Sequence, residues 1–195
     1  MGIEQAVPAI VTLAGRARYS QDVKARARAV AEVLRGKFPA PRALWWANSG
    51  DRGLWQFVID SRCEFDPADL RAWLRLNWLW VRQPQQYGRG MVDLFRYTGY
   101  VSSHGQPLPT RPLRLFRGGP RPEHWHGMRW TEDFVTAFLF AAPGGYIWEA
   151  YVPPSGVLGQ LVGAAFGGLM LARQSEVIVD PDCLNERRLV ASRRS

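Results

Sequence analysis

Three stretches in the second half of this 195-residue sequence combine residue types that could do chemistry. Leu115-Phe116-Arg117-Gly118-Gly119 ends a strand-like run with an arginine and two glycines. Arginine's planar fork suits phosphate, and glycine lets a ligand approach the backbone closely. Gly127-Met128-Arg129-Trp130-Thr131-Glu132-Asp133 leads into an apolar run containing Ala137 and Phe140, where Thr131 reads as a helix N-cap. Gln174-Ser175-Glu176-Val177-Ile178-Val179-Asp180-Pro181 opens an apolar strand with polar residues on alternate positions. Strand alternation sends Gln174 and Glu176 to one face. Each stretch also has a plain structural explanation: a strand-end arginine, a capped helix, a strand leaving a polar loop. His104, His124 and His126 have no cysteine or carboxylate set beside them to complete a metal site. Cys63 and Cys183 are too few and too far apart for a disulfide framework, and read as reduced thiols.

In their order, the three stretches resemble the Arg-Ser-Glu class of the mono-ADP-ribosyltransferase superfamily, of a bacterial or phage toxin-like kind. That family carries an arginine on its first core strand. A Ser-x-Ser or Ser-Trp-Thr type motif then leads into a helix with an Ala and Phe pattern, and a Gln-x-Glu or Glu-x-Glu pair opens a later strand. Here these elements look like Arg117, then Trp130-Thr131 with Ala137 and Phe140, then Gln174-Ser175-Glu176. Tyr146 to Pro154 looks like the strand before the family's target-recognition loop. The resemblance covers about residues 97 to 181. It departs from the pattern at Arg129, where the family has a hydroxyl that helps hold the catalytic glutamate.

The resemblance implies a split antiparallel β-sheet core and NAD as substrate with no metal. It implies transfer of ADP-ribose to a macromolecular acceptor, protein or nucleic acid, with NAD glycohydrolase activity as the hydrolytic form. Glu176 is then the catalytic carboxylate. Breaking the nicotinamide–ribose bond puts positive charge on the ribose, which a nearby carboxylate stabilises. Gln174 is the second catalytic residue and orients the acceptor; without a second carboxylate there, an arginine acceptor is disfavoured. Arg117, Gly118, Trp130, Thr131 and Tyr146 are the expected cofactor-binding residues, with Thr131 also supporting Glu176 and one of Tyr146, Trp148 or Tyr151 stacking on nicotinamide, where core packing is the alternative for each. A toxin-like role brings with it an antitoxin or immunity partner.

The elements that must position these residues are read from pattern. The expected class is α+β, a helical subdomain over residues 1–105 followed by a compact β-rich NAD-binding core over 106–195. Ser20 caps a helix through Val23, Ala27, Val30 and Leu34 to a stop at Gly36, and Leu44 to Ser61 is a Trp-rich helical stretch. Asp66-Pro67-Ala68-Asp69 starts a helix running through Trp73, Leu76 and Trp80 to about Arg82, its aromatics read as core. A further helix around Met91 to Tyr97 ends at Gly99, and a Gly/Pro loop to Pro112 follows. Leu113 to Arg117 is a strand that breaks at Gly118-Gly119. Thr131 caps a helix with Glu132 and Asp133 in its first turn and Phe134, Ala137, Phe138 and Ala141 buried. Tyr146 to Val152 and Glu176 to Val179 are strands.

Composition sets the outer limits. Hydrophobic residues are 47% and charged residues 22%, enough for a buried core and too ordered for a disordered or collagen-like chain. The formal charge of +8 favours polyanions, and all but two of the 25 basic residues are arginine. An alternative reading is therefore a basic Arg/Trp-rich nucleic-acid-binding protein. A third keeps the transferase-like fold but makes it inactive, on account of Arg129. The glycine-spaced apolar stretch from Gly156 to Ala172 is short for a membrane span, and the segment from Gly156 to Arg173 is expected to be a loop or short helix over the acceptor side of the cleft. Val7 to Ala14 lacks a basic leader and contains Pro8, so no signal peptide is expected and the chain is read as cytoplasmic, with no membrane partner.

Overall fold

The computed structural model describes residues 52–60, 62–78, 81, 83–162 and 175–192. The helix expected from Ser20 to Gly36, the residues Trp80 and Arg82, and Gln174 lie outside them. The chain is α+β and divides into two compact units, Met1–Gly99 and Tyr100–Ser195. The division falls a few residues before the boundary at 105.

In the first unit, α1 (Arg52–Asp60), α2 (Pro67–Asn77) and α3 (Arg89–Thr98) pack through large side chains. The Asp66 carboxylate accepts from the Ala68 N–H at 2.8 Å and Pro67 takes the first helical position, so α2 begins where the cap demands. It ends at Asn77, short of the expected Arg82. Trp55, Trp73, Trp78 and Phe95 are fully buried. The Trp55 and Trp73 rings lie 4.5 Å apart, and Trp78 meets Phe95 edge-on at 5.0 Å. These aromatics are core, as aromatics at helical spacing on an amphipathic helix should be.

In the second unit the described strands are β1 (Val101–Ser102), β2 (Leu113–Gly119), β3 (Arg129–Trp130), β4 (Tyr146–Val152), β5 (Val157–Val162), β6 (Ser175–Val179) and β7 (Asn185–Ser192). One sheet has the order β1-β5-β6-β3 and the other β2-β4-β7. Every pairing is antiparallel except β1 with β5. Among the described residues one backbone bridge, Phe116 with Thr131, links the two sheets through reciprocal hydrogen bonds of 2.7 and 2.9 Å. Leu115, Trp148, Ala150 and Val152 from one sheet and Trp130, Val177 and Val179 from the other share one core. A helix, α4 (Phe134–Phe140), covers the opposite face of β2 and β4 through Phe116, Ala137, Ala141 and Ile147.

Several sequence expectations change here. Strand β2 runs through Gly118 and Gly119 instead of breaking at them, because both pair with β4. The N-cap of α4 is Asp133, not Thr131: its carboxylate accepts from the N–H groups of Val135 and Thr136 at 3.1 and 2.9 Å. Two acceptor oxygens two residues nearer the helix outcompete the single Thr131 hydroxyl. Of the four residues expected to be buried on α4, Ala137 and Ala141 are, whereas Phe134 and Phe138 are exposed. Val157 to Val162, expected as loop or helix, is a strand, since β6 offers it an antiparallel ladder, irregular between Val157 and Gly159. Strand β7 was not anticipated because its Asn-Glu-Arg-Arg start hides a ladder partner for β4. No helix among the described residues is long and apolar enough to cross a membrane.

Candidate functional site

Three strands from the two sheets carry the candidate residues. Arg117 lies on β2, Arg129 and Trp130 on β3 with Thr131 directly after, and Glu176 on β6. The Phe116–Thr131 pair joins the first to the second, and Arg129 and Trp130 pair with Ile178 and Val177 to join the second to the third. Val177 and Val179 point into the core, so alternation turns Glu176 and Ile178 to the other face of their sheet, the face of Arg129. The Arg129 Nε lies 3.7 Å from Glu176 Oε2, and the two side chains retain only 16% and 18% of their exposure. Burial pushes the Arg129 guanidinium below its ordinary range and the Glu176 carboxylate pulls it back.

Arg117 alternates with Phe116 and so leaves β2 on the core side, opposite Trp148 of β4. Its Nε donates to the His124 carbonyl at 2.5 Å and its Nη1 to the Arg129 carbonyl. Burial and the nearby charge of Arg129 push this guanidinium down to about 10, with Glu176 opposing. It therefore remains cationic at neutral pH. A Cβ at Gly127 would overlap the same guanidinium, so a larger residue there would have to displace Arg117 from its two carbonyls. The fork expected to meet phosphate is spent on two backbone carbonyls and anchors the loop leading into β3.

The other expected residues are distributed differently. Gly118 faces α4: a Cβ there would collide with the Ala137 carbonyl, so this glycine admits a helix rather than a ligand. Trp130 is 2% exposed, packs in the shared core and donates its indole N–H to the Gly127 carbonyl at 2.8 Å. Its ring has almost no surface to offer a nucleotide. The Thr131 hydroxyl accepts from the Asp133 N–H at 3.1 Å and shapes the turn into α4. Tyr146 is half-buried and stacks on Trp148 at 5.9 Å against the core. The structure thus brings Arg117, Arg129, Thr131 and Glu176 to adjacent strands, and leaves Gly118 and Trp130 as packing residues.

Sequence reasoning missed one polar chain. The Tyr100 hydroxyl donates to Gln160 Oε1 at 2.8 Å, and the Gln160 amide donates to Glu132 at 3.4 Å. Burial and Glu132 together push the Tyr100 phenol up. The available signal was Gln160 itself, the one strongly polar side chain in the apolar stretch after Gly156. The histidines show no metal arrangement, and no cluster of three or more potential ligands occurs among the described residues. No family model matches this chain, and no curated protein or solved structure matches it significantly.

Proposed function

We propose that the second unit is an ADP-ribosyltransferase-type domain that cleaves NAD and transfers ADP-ribose to a macromolecular acceptor. The observation that carries this reading is that Arg117 on β2 and Thr131 just after β3 are joined by the Phe116–Thr131 bridge between the two sheets, and that β3 pairs with β6, which carries Glu176. The order of the three motifs is the one that the resemblance of the sequence implies. In this reading the Glu176 carboxylate faces the ribose as nicotinamide leaves with the bonding electron pair, and stabilises the resulting oxocarbenium ion. The acceptor nucleophile then bonds to the anomeric carbon and loses its proton. Arg117 acts behind the site, holding the 124–129 loop, and the Arg129 guanidinium lies against the Glu176 carboxylate and restrains it.

The test is nicotinamide release from NAD by the purified chain, compared with Glu176→Gln. The substitution keeps size and hydrogen bonding but removes the charge, and the loss of such a contact costs roughly 3–4 kcal/mol, about a hundred- to thousand-fold in rate. Equal rates for the two proteins would overturn the assignment. The Arg129–Glu176 ion pair favours a second reading, in which the fold is kept and the carboxylate is neutralised. That reading requires the unaltered chain to release no nicotinamide.

A further inference from the structure

A different face of the second unit carries its own signal. Helix α4, Phe-Val-Thr-Ala-Phe-Leu-Phe, is apolar around nearly its whole circumference. A helix of that kind is normally buried on all sides. Among the described residues, β2 and β4 cover one side, and Phe134, Val135, Phe138, Leu139 and Phe140 are all exposed, Val135 at 61%. Contiguous exposed apolar surface on one short element marks an interaction site more often than chance.

The patch continues onto the sheet. Phe134 meets Phe116 edge-on at 5.4 Å, and the Arg114 guanidinium lies 5.0 Å over the Phe116 ring. Arg114 donates to Glu149 at 2.8 Å, and Arg188 on the next strand donates to the same carboxylate at 3.1 Å. Glu149 is 1% exposed, whereas the side chains of Arg114 and Arg188 are 55% and 65% exposed. Two guanidiniums thus share one buried carboxylate, which leaves one net positive charge. Both present further N–H donors outward, because Glu149 engages only part of each five-donor fork.

We propose that this face docks an acidic protein segment, seating a carboxylate between Arg114 and Arg188 and laying apolar side chains over Val135 and Leu139. Charge complementarity selects this occupant. A second copy of the chain would set like arginine pairs against each other on a protein already at +8. A membrane-surface helix carries Lys or Arg on its own polar face, and α4 has neither. The cations instead sit on strands, held in place by Glu149, which suits a directional carboxylate contact.

The experiment is selection of random twelve-residue displayed peptides on the full chain, with counter-selection on the Val135→Ser/Leu139→Ser variant. Enriched peptides should carry Asp or Glu beside aromatic or aliphatic residues. A representative peptide should bind at least about tenfold more weakly to Val135→Ser/Leu139→Ser and to Arg114→Ala/Arg188→Ala, and equally well to Arg121→Ala. Circular dichroism and thermal unfolding establish that the variants fold; because Arg114→Ala/Arg188→Ala strips the buried Glu149 carboxylate of its partners, Arg114→Ala/Arg188→Ala/Glu149→Gln carries the same test with that charge removed. Failure to enrich peptides, enrichment without acidic residues, or affinity unmoved by both variants overturns the proposal. So does dimerisation, or co-sedimentation with phosphatidylserine vesicles, that the Val135→Ser/Leu139→Ser variant abolishes.

Discussion

Arg129 serves two neighbours with different atoms: its carbonyl accepts from Arg117, and its guanidinium lies against Glu176. Shortening the side chain leaves the first contact intact because it belongs to the backbone. Under the proposed function, Arg129→Ser frees the Glu176 carboxylate to face a developing positive charge. Nicotinamide release should then rise by about tenfold, roughly 1.4 kcal/mol of barrier. It should fall back when Glu176→Gln is added. An Arg129→Ser protein that folds and shows no gain would mean that this arginine does not restrain the carboxylate. Glu149 poses a separate question at the same scale. The hydrogen bond from Arg114 holds its carboxyl below the usual range, burial opposes this, and Arg188 assists. A carboxyl depressed in the folded state stabilises the protein fully above its unfolded value, near 4.5, and that contribution is lost as pH falls through the lower folded value. Denaturant unfolding from pH 7 down to pH 3 should therefore show an acid limb that Glu149→Gln flattens. Both arginines are more than half exposed, so the effect should be modest and should shrink in high salt.

Helix α4 depends on two local features of opposite kinds. Asp133 caps it with hydrogen bonds to Val135 and Thr136, and the Thr136 bonds hold the Asp133 carboxyl low. Gly118 lets it approach β2. Asp133→Ala should cost about 1 kcal/mol of unfolding free energy, the usual loss for a cap. Gly118→Ala should cost about 2 kcal/mol or more, because the new Cβ pushes on backbone atoms of Ala137 and Ala141 that cannot rotate away. Chemical denaturation of the two variants measures both, and a smaller loss at Gly118 than at Asp133 would show that α4 shifts freely. The contrast explains why one feature was half legible and the other was not. A cap is written in polar residues before an apolar run, which places it at Thr131, and the coordinates move it two residues on to Asp133. Gly118 beside an arginine suggests ligand approach equally well, until the helix packed against it is seen. Strand β7 was hidden for a related reason: its exposed, charged residues carry no alternation, and its place comes from the free edge of β4.

At the scale of the molecule, the described residues of the second unit hold two hydrophobic clusters whose members all lie within that unit. A fragment beginning at Tyr100 should therefore fold alone with a cooperative thermal transition and native-like near-ultraviolet dichroism. Loss of cooperativity in the fragment would make the first unit part of its stability. The amino-acid sequence by itself determined the α+β class, the start of α2 at Asp66-Pro67, the end of α3 at Gly99, and strands β4 and β6 nearly to the residue. Caps, helix stops and alternation are settled between residues a few positions apart, so a local pattern can carry them. It also supplied the order of Arg117, Thr131 and Glu176. Tertiary structure alone decided that Arg117 spends its fork on carbonyls, that Trp130 is core, that Gly118 meets a helix, and that Arg129 lies against Glu176. Those outcomes depend on strands that are distant in the chain and become neighbours only when the sheets assemble, when burial leaves each charge the partners that the fold brings within reach.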